Sequence, residues 1–91
     1  MSVTVKIPHI FWQLIDGKKE ISVKPGLLED IFKEIKETYS ELSNAILDEN
    51  NHTKGSIMLF LDKKLISDPK KIDLYVKDNQ ILSLIIPMSG G

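Results

Sequence analysis

The sequence predicts an α+β domain, a mixed sheet of four to five strands packed on one main helix. Three observations predict it. Val3, Val5 and Ile7 alternate with Ser2, Thr4 and Lys6, the period of a strand with one buried face. Leu28, Ile31, Phe32, Ile35 and Tyr39 recur at helical spacing, which marks an amphipathic helix. Ile81-Leu82-Ser83-Leu84-Ile85-Ile86 is the most apolar stretch of the chain and reads as a buried strand. Helices that fall between strands gather on one side of the sheet.

The first strand ends near Pro8. His9 to Ile15 is apolar but less regular, and Asp16-Gly17 marks a turn. Of the two rings in this connection, Phe11 and Trp12, one is expected to cover the end of the core and the other to be partly exposed. Ile21 and Val23 alternate with Glu20, Ser22 and Lys24, giving a second strand that forms a hairpin with the first. Pro25-Gly26 breaks the strand pattern. The main helix then runs from about Leu27 to Tyr39. Glu29 and Asp30 lie in its first turn, where carboxylates favour the positive end of the helix dipole, and Lys33, Glu34, Lys36 and Glu37 form its wet face. Leu42, Ala45 and Ile46 suggest a short second helical piece, with Ser40 as its cap.

Asp48 to Gly55 is polar and reads as a loop. Ser56 to Leu61 is a third strand, apolar on both faces. Asp62-Lys63-Lys64 turns the chain, Leu65-Ile66 pairs back briefly, and Ser67-Asp68-Pro69 turns it again. Ile72, Leu74 and Val76 are expected to form an irregular or short 3₁₀ segment over the core. Asp78-Asn79 supplies the turn into the last strand. The apolar character of that strand suits a central position beside the first strand. Pro87 ends it by removing a ladder donor. The division is a domain over residues 1–86 and a tail over residues 87–91.

Composition limits the function. Ninety-one residues, 42% hydrophobic and 27% charged, make one domain with a modest core. The formal net charge is −1, so charge implies no nucleic-acid partner. Lysine pairs such as Lys18-Lys19, Lys63-Lys64 and Lys70-Lys71 are scattered, and solvated surface positions account for them. The absence of cysteine excludes disulfides, thiolate metal sites and a cysteine nucleophile. No apolar run approaches a membrane span, and Met1 to Val5 lacks the pattern of a signal peptide, so the expected compartment is the cytoplasm. His9 and His52 stand alone, without metal-ligand spacing or a paired base, and there is no Gly-rich phosphate loop. The chain is not expected to be an enzyme by itself, and no metal or bound cofactor is expected.

Two features remain as candidates for function. One is the end of the sequence, Pro87, Met88, Ser89, Gly90 and Gly91. Residues without a Cβ permit close approach and unusual dihedrals. The other is Met58 and Phe60. They serve either core packing or, if their face of the sheet is partly exposed, the docking of a partner.

Several segments together carry a resemblance. They are the opening Val3-Thr4-Val5-Lys6-Ile7-Pro8, Pro25-Gly26 ahead of the helix, Lys77-Asp78-Asn79-Gln80 before the last strand, and that strand's run into Pro87-Met88-Ser89-Gly90-Gly91. In this order they resemble the ubiquitin-like β-grasp sulfur carriers of the ThiS/MoaD family. Asn79 stands where the family usually has a glycine in its acidic turn, a replacement that a left-handed turn accommodates. The opening, and Tyr39 to Ser43 with Leu47-Asp48, are similar to the CysO-type carriers of cysteine biosynthesis. The final Ser-Gly-Gly is similar to molybdopterin-synthase small subunits.

The resemblance implies a mechanism in which the chain end is the reactive group. A partner adenylyltransferase of the ThiF/MoeB type would use ATP to convert the Gly91 carboxylate to an acyl-adenylate. A sulfur donor would then convert it to a thiocarboxylate. A sulfur-accepting enzyme, of the molybdopterin-synthase large-subunit, cysteine-synthase or thiazole-synthase type, would take the sulfur. ATP is consumed by the partner and none is held by the carrier, which is expected to be a monomer when free. Two other readings stand beside it, a protein modifier ligated through Gly91 as ubiquitin is, and a β-grasp interaction domain with an inert tail.

Overall fold

The computed structural model describes residues 2–67 and 73–87. Residue 1 and residues 68–72 and 88–91 lie outside this range. They include Ile72, most of the expected Ser67-Asp68-Pro69 turn, and Met88, Ser89, Gly90 and Gly91.

Strands β1 (Val3–Lys6) and β2 (Glu20–Val23) form the predicted antiparallel hairpin. Their odd-numbered residues are buried and their even-numbered residues are not, as the alternation requires. The connection is a 3₁₀ helix over His9–Ile15, longer than such helices usually run. Pro8 starts it, with Phe11 N–H donating to the Pro8 carbonyl at 2.9 Å. Asp16, in the left-handed region at φ 58°, ends it. Trp12 fastens this helix to the end of β1, since its Nε1–H donates to the Ile7 carbonyl at 2.7 Å. His9 meets its ring edge-on at 4.5 Å between centroids. The expected division between Phe11 and Trp12 is not found. Both rings are half-buried against the core.

Strand β3 (Gly26–Leu27) leads directly into α1 (Leu28–Thr38). Leu28, Ile31, Phe32 and Ile35 face the core, and Glu29 and Asp30 occupy the first turn. Helix α2 (Ser40–Ile46) follows after a single residue, Tyr39. Ser40 is therefore the first residue of α2 and not its cap; Tyr39 holds the cap position with no side-chain hydrogen bond. Leu42 and Ile46 complete the apolar layer.

The remaining strands are β4 (Met58–Leu61), β5 (Lys64–Leu65), β6 (Tyr75–Val76) and β7 (Ile81–Ile85). The main sheet has the order β2-β1-β7-β4-β5. The last strand is central, parallel to β1 and antiparallel to β4. Tyr75-Val76 is extended and not 3₁₀, since it pairs with Gly26-Leu27 as a second, two-stranded sheet. Leu28 N–H donating to the Leu74 carbonyl at 2.8 Å extends the contact. The sheet wraps around α1, and the core between them includes Val5, Ile35, Leu42, Leu59 and Leu82, each at most 1% exposed. This is the β-grasp arrangement.

Candidate functional site: the open sheet face and the exit of the last strand

Strand β7 carries the chain from the centre of the core to its edge. Leu82 and Leu84 are buried on the helix side. Ile81, Ser83 and Ile85 point the other way. The register places Met58 opposite Ile85, Phe60 opposite Ser83, and Phe60 also opposite Leu65. Leu59, between Met58 and Phe60, is buried, so those two residues lie on the face away from the helices. Together with Ile85, 44% exposed, and Leu65, 52% exposed, they form an apolar strip along β4, β5 and β7. Toward β1 the face turns polar, with Ser83 opposite Lys6.

The strip continues past the end of β7. Strands β1 and β7 are parallel, so they end on the same side, and there the 3₁₀ helix swings away from β7. Between them lies a mainly apolar cleft of about 450 Å³, lined by Pro8, His9, Ile10, Leu84, Ile85 and Ile86. Ile86 packs on the core and Pro87 is exposed. Pro87 therefore lies at the rim of this cleft, beside the apolar strip.

The start of β7 is fixed by a polar knot. Asp62, in the β4–β5 turn at φ 54°, donates its N–H to the Ile81 carbonyl at 2.7 Å. Its carboxylate accepts the Ile81 N–H at 3.0 Å and the Gln80 amide at 3.1 Å. The Ile81 N–H, and secondarily the Gln80 amide, hold the Asp62 carboxyl below its ordinary value. Gln80 also accepts the Lys77 N–H at 2.7 Å. Asn79 takes the left-handed conformation, φ 68°, and its N–H donates to the Ser2 carbonyl at 3.0 Å.

Of the residues singled out by sequence, the structure brings Met58 and Phe60 together on one accessible face and sets Pro87, exposed, just past the end of β7. Met88, Ser89, Gly90 and Gly91 lie outside the described residues. Ile85, Leu65 and Ile10 were not foreseen as part of the surface. The Ile81-Ser83-Ile85 alternation inside the apolar run was the available signal, because a serine at its centre marks the wetter face. His9 lines the cleft and has Trp12 as its neighbour, while His52 sits in the Asp48 loop, where its N–H donates to Asp48 Oδ1 at 3.1 Å. Among the described residues no group of three or more His, Asp or Glu is placed to hold a metal ion, and no helix is long and apolar enough to cross a membrane.

No protein-family model matches the chain, and no curated protein sequence matches it. Solved structures do. A chain of the Amycolatopsis orientalis BexX/CysO complex superposes with a TM-score of 0.82 at 20% identity, over 98% of this chain and 99% of that one. Mycobacterium tuberculosis CysO gives 0.78 at 17% identity, over 92% and 97%. The small archaeal modifier protein 1 of Methanosarcina acetivorans gives 0.74 at 20% identity, over 99% and 96%. The shared property is the fold, a ubiquitin-like β-grasp that spans nearly the whole of each chain.

Proposed function

We propose that this β-grasp chain is a sulfur carrier whose working group is the carboxylate of Gly91. The observation that carries the reading is the course of β7, the central strand, which brings Pro87 to the rim of an exposed apolar surface, four residues before Gly91 in the sequence. The likeness to CysO structures supports it. In the first step a carboxylate oxygen of Gly91 attacks the α-phosphorus of ATP in a ThiF/MoeB-type partner, and pyrophosphate leaves. In the second, hydrosulfide attacks the acyl carbon, AMP leaves and the S–H proton is lost to water, which gives the thiocarboxylate directly. The product thiocarboxylate passes its sulfur to an accepting enzyme of cofactor or cysteine biosynthesis. The carrier's own residues present the tail and dock the partner; Met58, Phe60 and Ile85 are the docking surface, and the chain acts as a substrate of enzymes, not as one.

A second reading, a modifier ligated through Gly91 to lysines, is favoured by the likeness to small archaeal modifier protein 1. One experiment separates the two. The purified chain is incubated with ATP, a cognate adenylyltransferase and hydrosulfide, and its mass is measured. A gain equal to one oxygen replaced by sulfur supports the carrier. Isopeptide adducts in cells without that gain support the modifier. Deleting Gly91, or Gly90→Val, abolishes activation with an unchanged circular dichroism spectrum. Normal activation of either variant refutes both readings.

A further inference from the structure

Strand β2 is the edge of the main sheet, with β1 on one side and no strand among the described residues on the other. The phase of its backbone is fixed. Ile7 N–H donates to the Lys19 carbonyl at 3.0 Å, and the same register pairs Val5 with Ile21 and Val3 with Val23. Alternate pairs of an antiparallel ladder exchange both bonds, so Ile21 and Val23 direct their polar backbone toward β1. The N–H and C=O groups of Glu20 and Ser22 therefore point outward. Thr4, opposite Ser22, agrees with this phase, because its N–H donates away from β2 to the Gln80 carbonyl at 3.2 Å. At the next outward position the Lys24 N–H is taken by the Glu34 carboxylate at 3.0 Å. The side chains of Glu20, Ser22 and Lys24 are all exposed.

We infer that a second copy of this chain covers this edge, as an antiparallel β2–β2 pair with Ser22 on the two-fold axis. Residues directly opposite each other in a sheet share a face, which leaves few registers to consider. With Ser22 opposite Ser22, Glu20 of each copy meets Lys24 of the other, so the charge pair forms twice. Ile21 then meets Val23 of the second copy on the helix side. A neighbouring register sets Lys18 against Lys24, and the next sets Glu20 against Glu20; like charges directly opposite are unfavourable. Lysines along a sheet edge discourage strands of other sequence. An incoming strand needs an acidic residue opposite Lys24, and Glu20 of a second copy supplies it. The outward Glu20 and Ser22 groups gain partners, and the Lys24 N–H exchanges Glu34 for a carbonyl.

Four residues on each edge bury far less than the roughly 800 Å² per partner of a standard stable complex, so the pair is weak and forms with concentration. The axis lies on the β2 side of the sheet, with β1 between it and β7. Met58, Phe60, Ile85 and Pro87 stay clear of it in both copies. The inference is independent of the chemistry proposed for Gly91.

Sedimentation equilibrium of the full chain between about 10 μM and about 1 mM, at low salt, tests it. The weight-average mass rises above 10.3 kDa with concentration, and the Glu20 and Ser22 amide resonances shift along with it. Glu20→Lys and Lys24→Glu each weaken association at least tenfold, and the double exchange restores it; circular dichroism confirms that all three fold. A mass that stays at the monomer value overturns the inference. So does association that Glu20→Lys leaves unchanged, or that only Phe60→Ala abolishes. If the edge amides shift only on adding a different protein, the edge belongs to that partner and self-pairing is refuted.

Discussion

Asp62 and Ile81 are joined twice, by Asp62 N–H to the Ile81 carbonyl at 2.7 Å and by Ile81 N–H to Asp62 Oδ1 at 3.0 Å. The pair locks the β4–β5 turn to the first residue of the central strand. The carboxylate form makes this knot, and its folded-state pKa is lowered by the Ile81 N–H and then by the Gln80 amide. A depressed acid contributes stability that is fully present above the unfolded-chain carboxyl range and is lost as pH falls through the folded-state value. Asp62→Asn removes that contribution. Urea unfolding from neutral pH into the acid range is expected to show the variant less stable at neutral pH. The gap between the two proteins narrows as the medium acidifies below the ordinary carboxyl range. A gap that is constant with pH contradicts the assignment.

Adjacent residues of β7 should respond in opposite ways. Leu84 is 3% exposed and paired with Leu59, whereas Ile85 is 44% exposed. Leu84→Ala should cost about 2–5 kcal/mol, the range for emptying a packed core position. Ile85→Ala should cost about 1 kcal/mol or less, as surface-side changes do. Denaturant midpoints for the two variants check the orientation of the strand.

Asn79 holds a left-handed conformation at φ 68°. Asn79→Gly should leave stability unchanged or raise it by up to about 1 kcal/mol, because glycine enters this region without a steric penalty. Asn79→Val should lower it by about 1–2 kcal/mol. Equal stabilities for the two variants would show that the turn relaxes to another shape.

The docking surface can be separated from the fold. Phe60→Ala, on the open face, should reduce the efficiency of activation by an adenylyltransferase about tenfold, equivalent to about 1.4 kcal/mol of lost binding. Its effect on unfolding should be smaller than that of Leu84→Ala. Unimpaired activation would move the docking surface elsewhere.

The parts legible in the sequence were those whose periodicity follows from burial on one side. The alternation of Val3, Val5 and Ile7 and the stripe from Leu28 to Ile35 led to the right strand and the right helix, and the apolar run at Ile81 to a central strand, although only its Leu82 and Leu84 face is buried and Ile85 is 44% exposed. Three details were not legible, for physical reasons. Tyr75-Val76 is too short to show a period, and its partner Gly26-Leu27 sits behind a Pro-Gly signal that ordinarily marks a break. The 3₁₀ helix over His9–Ile15 has no polar stripe, because both its rings pack inward. Ser40 looks like a cap, but the backbone leaves only Tyr39 between the helices. At the candidate site, Met58 and Phe60 were visible from sequence as half of an apolar strand. That Ile85 and Leu65 join them depends on strand register, which no local pattern encodes.

The parallel pairing of β1 with β7 has a mechanical consequence. The strands nearest the two ends of the chain lie side by side and run the same way, so a pull between those ends loads their shared bonds in shear, all together. Force applied at the final residues, by a translocating motor or a tethered bead, should meet its main resistance there before any helix comes loose.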